Sequence, residues 1–168
     1  VRTDRIALAI YVLAAMSTPA SAGCWQELAV YKEVQANAEI DFQGARPDDG
    51  VLHRFKVLFP ENAVVFEGTV FPGDAPVSRP WAVVTYNCPH GDATGEEIAA
   101  CTVWEGPVYG IDGTGNVFFL PEANNGEEAA ETMLLPDFAA AVRLSAAWGA
   151  KGLSTAPKDD FKLSGCQE

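Results

Sequence analysis

Four cysteines constrain this chain more than any other feature: Cys24, Cys88, Cys101 and Cys166. Four cysteines admit three pairings. Cys88 and Cys101 are close in sequence and flank one polar loop, "CPHGDATGEEIAAC", whereas Cys24 and Cys166 stand far apart, near the two ends of the folded part. The expected bridges are therefore Cys88–Cys101 and Cys24–Cys166. On chain entropy the short loop contributes about 3 kcal/mol and the long one up to about 5 kcal/mol. The long bridge also fastens termini that otherwise fray. A zinc site is the alternative use of the four thiols, but no two stand in C-x-x-C spacing. Oxidised in pairs, none of them is available as a nucleophile.

Bridges of this kind need an oxidising compartment, and the N-terminus predicts delivery to one. Arg2 and Arg5 form a basic start, Ile6 to Met16 is an apolar run too short to span a bilayer, and Pro19 precedes "ASA". That order is the pattern of a secretory signal peptide over residues 1–22, leaving a single secreted domain over 23–168. A Val in first position is what a bacterial non-ATG start gives when translated literally. "SAGC" also has the outline of a lipidation site at Cys24. It carries Ser21 where Leu is usual, and lipidation would leave an odd cysteine. The expected location is periplasmic or extracellular.

The whole chain carries 11 Lys and Arg against 23 Asp and Glu, a formal net charge of −12. Without Arg2, Asp4 and Arg5 the remainder is one unit more negative. Such a balance disfavours nucleic acid and anionic membrane surfaces, which need clustered cations. It fits a cationic protein or envelope component as partner. Hydrophobic residues make up 48% of the chain, enough for a packed core. No apolar run after the first is long enough to span a bilayer, and nothing in the composition fixes an oligomeric state.

Alternation then marks the strands. "LHRFKVLF" places His53, Phe55, Val57 and Phe59 on one face, and "AVVFEGTVF" places Val64, Phe66 and Val70 opposite Glu67 and Thr69. With "PEN" between them they predict a hairpin. "WAVVTYN" reads as a central strand, "CTVWEGPVYGI" as the next with an irregularity at Pro107, and "NVFFL" as a fifth after the turn "DGTG". "LPDFAAAVRLSAAWG" predicts a helix, with Pro136 and Asp137 in its first turn and Gly149 at its end. Its stripe of Phe138, Ala141, Val142, Ser145 and Trp148 faces the sheet. "FKLSGC" suits a last strand, "ELAVYKEVQANAEIDF" fits strand or helix, and "PEANNGEEAAE" a polar connection. The fold class is α+β: an antiparallel sheet of five to six strands with one helix in the C-terminal half packed on it, and two disulfides.

Nothing in the sequence matches a familiar catalytic motif, which points away from an enzyme and calls for no cofactor. His53 reads as a core or edge histidine within its strand. Asp112, Thr114 and Asn116 alternate like the start of a calcium loop, but Val117 and Ala123 occupy the positions that need Gly and Glu. The stapled loop is richer. His90, Asp92 and Glu96 offer ligands for a metal ion or the makings of a hydrolase, while Thr94 and Glu97 have the spacing of a helix capping box. A disulfide also holds a loop in its bound shape before a partner arrives, which makes Pro89, His90 and Asp92 candidate binding residues.

The order of strand, Cys88, Pro89, His90, Asp92, Cys101 and a second strand resembles the periplasmic inhibitors of C-type lysozyme. In that family a disulfide closes a loop around a Pro-His-Asp core that enters the lysozyme cleft. Here Gly91 separates His90 from Asp92, and the bridge closes much later. The resemblance implies inhibition of a lytic enzyme through this loop. "DDFKLSGCQE" and "CPHGDATGEEIAACTVWEGPVYGID" also resemble segments of small secreted bacterial proteins of uncharacterised function. The reading overall is a secreted, disulfide-stabilised binding or structural domain.

Overall fold

The computed structural model describes residues 23–44, 50–73, 78–89, 91–120 and 126–167. The expected signal segment, and His90 within the stapled loop, lie outside them. After one turn of 3-10 helix at Gln26–Leu28, the strands are β1 (Ala29–Glu33), β2 (Ala38–Gln43), β3 (His53–Phe59), β4 (Val64–Phe71) and β5 (Trp81–Thr85). Helix α1 (Gly95–Cys101) leads into β6 (Thr102–Pro107), β7 (Tyr109–Ile111), β8 (Val117–Phe119) and β9 (Thr132–Leu134). Helix α2 (Phe138–Leu144) and β10 (Asp160–Cys166) complete the chain. All ten strands form one antiparallel sheet in the order β6-β5-β4-β3-β2-β1-β10-β9-β7-β8.

That order forces the sheet to curl. In a flat sheet β6 and β7, eight places apart in the order, would be separated by about 38 Å at the usual strand spacing. Only Val108 connects them, and two peptide units reach about 7 Å at most. The two ends of the sheet must therefore meet, and the result is a curled half-barrel. This corrects the expectation of an α+β fold with five to six strands: the described residues are mostly β, with two short α-helices among them. Pro107 marks the place where the expected single strand divides into β6 and β7.

Period-two alternation fills the inside of the curl. Tyr31, Ile40, Phe42, Phe55, Phe59 and Phe66 are fully buried there, with His53 among them, its ring meeting that of Phe42 edge-on at 5.4 Å. Gly68 stands directly across from Phe55, whose ring lies where a Cβ at Gly68 would be. Glycine is thus required at that position for the aromatic to lie flat on the sheet. "ELAVYKEVQANAEIDF" resolves as the hairpin β1–β2, because Ala29, Tyr31, Ala38, Ile40 and Phe42 alternate inward. Its turn is organised by Glu33, whose two carboxylate oxygens accept from the backbone N–H groups of Gln35 and Ala36 at 2.8 and 2.9 Å.

Helix α2 is shorter than the sequence predicts, and it is capped from elsewhere. Asp137 adopts a left-handed conformation (φ 63°) and makes no side-chain cap. Asp159 does the capping, across 20 residues and more: its Oδ2 accepts from Asp137 N at 2.9 Å and its Oδ1 from Ala139 N at 2.8 Å. The helix stops at Ser145, whose hydroxyl donates to Val142 O at 2.8 Å, so Gly149 does not end it. Of the predicted stripe, Phe138 and Val142 are fully buried. Phe138 lies 5.8 Å from Trp104 of β6 and 6.1 Å from Phe161 of β10, so it bridges two distant strands of the curl. Removing the distant cap leaves orphan donors at the helix start. Asp159→Ala is expected to lower unfolding free energy by about 1–2 kcal/mol in urea titration, with Asp159→Asn recovering part of the loss.

The outer face carries charge in rows and one apolar band. Lys32 pairs with Glu39 at 2.9 Å, and Asp41 lies one step along β2 from Glu39. Desolvation pushes the Asp41 carboxyl above its ordinary range, and neighbouring Glu39 adds to the effect. A raised carboxyl pKa means that the folded state binds the proton more tightly than the unfolded chain does. Ionised Asp41 therefore costs stability at neutral pH, and this cost shrinks as pH falls below its folded pKa and is gone below its unfolded pKa. Asp41→Asn is expected to raise the urea midpoint at pH 7 and to flatten that part of the pH–stability profile. The apolar band comprises Phe71, Trp81 and Pro107, paired across β4, β5 and β6, with Tyr109 and Phe119 stacked just beyond. No helix among the described residues is long and apolar enough to cross a membrane.

A candidate recognition cleft at the stapled loop

Both disulfides connect the expected partners, Cys24 with Cys166 and Cys88 with Cys101. The first joins the chain just before β1 to the end of β10, two strands that also pair. The second closes the connection between β5 and β6. No cysteine is left free. Two bridges of this kind belong to a stabilised protein of an oxidising compartment.

The stapled loop is built from local signals. Asn87 (φ 53°) and Gly91 (φ 95°) both adopt the left-handed conformation, which Asn and Gly tolerate best. Helix α1 follows, with the capping box complete. Glu97 N donates to Thr94 Oγ1 at 3.3 Å, and Thr94 N donates to Glu97 Oε2 at 2.8 Å. The helix has seven residues and buries none of them. Such a helix is marginal in isolation. What holds it is the cap at one end and the bridge at the other, where Cys101 is its last residue.

Between this loop and the end of α2 lies a cleft of about 500 Å³. One wall is Tyr86, Asn87, Pro89 and the Cys101 end of the bridge. Thr102 and Val103 of β6 and, after α2, Ser145 and Ala146 also line the cleft. Tyr86 is fixed from behind by Phe66, ring against ring at 5.4 Å, and its N–H donates to Cys101 O at 2.9 Å. The hydroxyls of Thr102 and Ser145 donate to Ile98 O and Val142 O, so both act as backbone caps. Glu97 is the one charged side chain lining the cleft among the described residues. Hydrogen bonds from the backbone and hydroxyl of Thr94 hold its carboxyl below the ordinary glutamate range.

Of the residues singled out in the sequence, Pro89 lines the cleft, while Asp92 and Glu96 are exposed and are not among its lining. His90 lies outside the described residues, so its place relative to Pro89 and Asp92, and the His90–Asp92–Glu96 metal set, are not described. Among the described residues, no group of three or more His, Cys, Asp or Glu is gathered to hold a metal ion. The calcium-like "DGTGN" is a turn organised by its own aspartate. Asp112 Oδ1 accepts from Thr114 N, Thr114 Oγ1 and Asn116 N, and Oδ2 accepts from Asn116 Nδ2 at 2.8 Å. These bonds hold the Asp112 carboxyl well below the usual range.

Sequence reasoning missed Tyr86, Ser145 and Ala146 as parts of the site. Ser145 and Ala146 arrive only because Phe138 anchors α2 against β6, which no local pattern announces. Glu97 was legible as a cap, and it also lines the cleft. No family model, no curated protein and no solved structure matches this chain, so the reading of the cleft rests on its geometry and charge.

Proposed function

We propose that the protein is a periplasmic or extracellular recognition domain that binds a cationic partner, a protein or envelope component, with the face formed by the stapled loop. The observation that carries this reading is the cleft between that loop and α2, set in a stretch of one charge sign. From Thr85 to Gly106 the chain has Asp92, Glu96, Glu97 and Glu105 and no Lys or Arg. The bridge supports the same reading, because a loop fixed before encounter loses less conformational freedom on binding. Complementary charge speeds the encounter and selects against acidic surfaces.

C-type lysozyme is the first partner to test, since it is cationic and the loop resembles that of its periplasmic inhibitors. Mixed with the purified protein, lysozyme is expected to clear a suspension of bacterial cell walls more slowly. The effect should shrink as salt screens the charges. Undiminished clearance at a large molar excess would remove lysozyme as the target. Absence of salt-sensitive binding to lysozyme and to other cationic proteins, measured by calorimetry, would remove the cationic reading itself.

A further inference from the structure

We infer that the cleft seats an arginine side chain of the partner, with Glu97 as its counter-charge. The inference rests on the stapled loop being a recognition surface, and it names the group that anchors the contact. At about 500 Å³ the cleft falls within the usual range for small-molecule sites and has room for a long side chain with its flanking backbone. Its walls are largely apolar: the Tyr86 ring, Pro89, Val103 and Ala146. Apolar walls suit a ligand whose stem is hydrocarbon and whose tip is charged, and long cationic side chains have that design.

The sign of the charge follows from the lining. Glu97 is the one charged side chain there among the described residues, and Asp92 and Glu96 of the same loop are exposed. Arg143, in the last turn of α2, is turned back along its own helix, donating to Ala139 O at 3.1 Å. An anion entering the cleft would meet carboxylates; a cation is attracted by them.

Arginine is favoured over lysine by the aromatic side chain in the lining. Both hydrogen bonds from Thr94 fall on Oε2 of Glu97, at 2.8 and 2.9 Å, which places that oxygen while Oε1 accepts from neither. Tyr86 lines the same cleft as Glu97. A planar guanidinium can stack on an aromatic ring while it donates to a carboxylate, which the compact ammonium of lysine does less well.

The test uses the intact oxidised protein and two capped tripeptides, acetyl-Gly-Arg-Gly-amide and its citrulline twin, which has the same shape without the charge. Amide shifts are followed by NMR during titration. The arginine peptide is expected to give saturable shifts at Tyr86, Val103 and Ala146, with affinity at least tenfold above the citrulline peptide. Glu97→Gln, which retains a side-chain oxygen for the cap, is expected to erase that difference. Ala146→Trp, which fills the cleft and leaves the charge unchanged, is expected to abolish binding of both. Equal affinity for the two peptides, or shifts confined to other surfaces, would overturn the inference, and this comparison needs no variant to fold. If lysozyme binds and the arginine peptide does not, the anchor is wrong and the recognition reading stands. If the peptide, lysozyme and other cationic proteins all fail to bind, both fall.

Discussion

Phe138→Ala is expected to lower unfolding free energy by about 3–5 kcal/mol. Phe138 is fully buried, and it is the side chain through which α2 touches both Trp104 and Phe161. Truncation removes the transfer free energy of the ring and leaves a cavity where two distant strands of the curl converge. The Trp104 indole, which donates to Pro136 O at 2.8 Å, loses the neighbour that positions it. A loss of this size is a large share of the stability of an ordinary domain. Phe138→Leu, which restores most of the volume, is expected to cost less than about 1.5 kcal/mol. Urea denaturation of the three proteins measures both effects. The same change bears on the cleft, because Ser145 and Ala146 follow directly on α2. The Ala variant is therefore expected to lose binding at concentrations of urea where the wild type still binds. A cost under about 1 kcal/mol would mean that α2 is held by something other than its aromatic anchor.

Replacing Cys24 and Cys166 together by alanine is expected to cost about 2–5 kcal/mol. The bridge spans 142 residues, so it removes a large loop entropy from the unfolded chain. It also lies where β1 pairs with β10, with Ala29 opposite Cys166. Without it the β1–β10 seam loses its covalent tie at the Ala29–Cys166 end and is expected to open from there. Hydrogen exchange is expected to quicken at Gln167, whose N–H donates to Leu28 O at 2.8 Å across that seam, and not at Leu163, whose N–H donates to Glu131 O on the other side of β10. The Cys88–Cys101 pair closes only 13 residues, and its loss is expected to be felt locally. There α1 buries nothing, so breaking the bridge should unravel that helix while the sheet persists. Equal, global losses from the two double variants would contradict this division.

The parts of the fold that the sequence disclosed are those whose pattern is long enough to read. Seven residues of β3 and eight of β4 alternate without a break, and their inward faces were identified residue by residue. The bridges were legible from spacing, because one close pair leaves one distant pair. The capping box of α1 was legible because both partners are local. Strands β7, β8 and β9 have three residues each, too few for alternation to register. Their pairing is set by the closing of the curl instead. Asp159 gave no sign of capping α2, since its partners at Asp137 and Ala139 are brought to it by the β9–β10 pairing. The cleft was half legible for the same reason. Pro89 and Cys101 belong to the loop that attracted notice, whereas Ser145 and Ala146 reach it through tertiary packing alone.

The location of the recognition surface is the central claim, and an NMR titration of the isotope-labelled protein with C-type lysozyme at low salt tests it most directly. The prediction is that amide shifts cluster at Tyr86 to Pro89, Glu97 to Val103 and Ser145 to Ala146, and that they fade as salt is added. Shifts that instead mark the outer apolar band of Phe71, Trp81, Tyr109 and Phe119, or no shifts with lysozyme or with any other cationic protein, would contradict it.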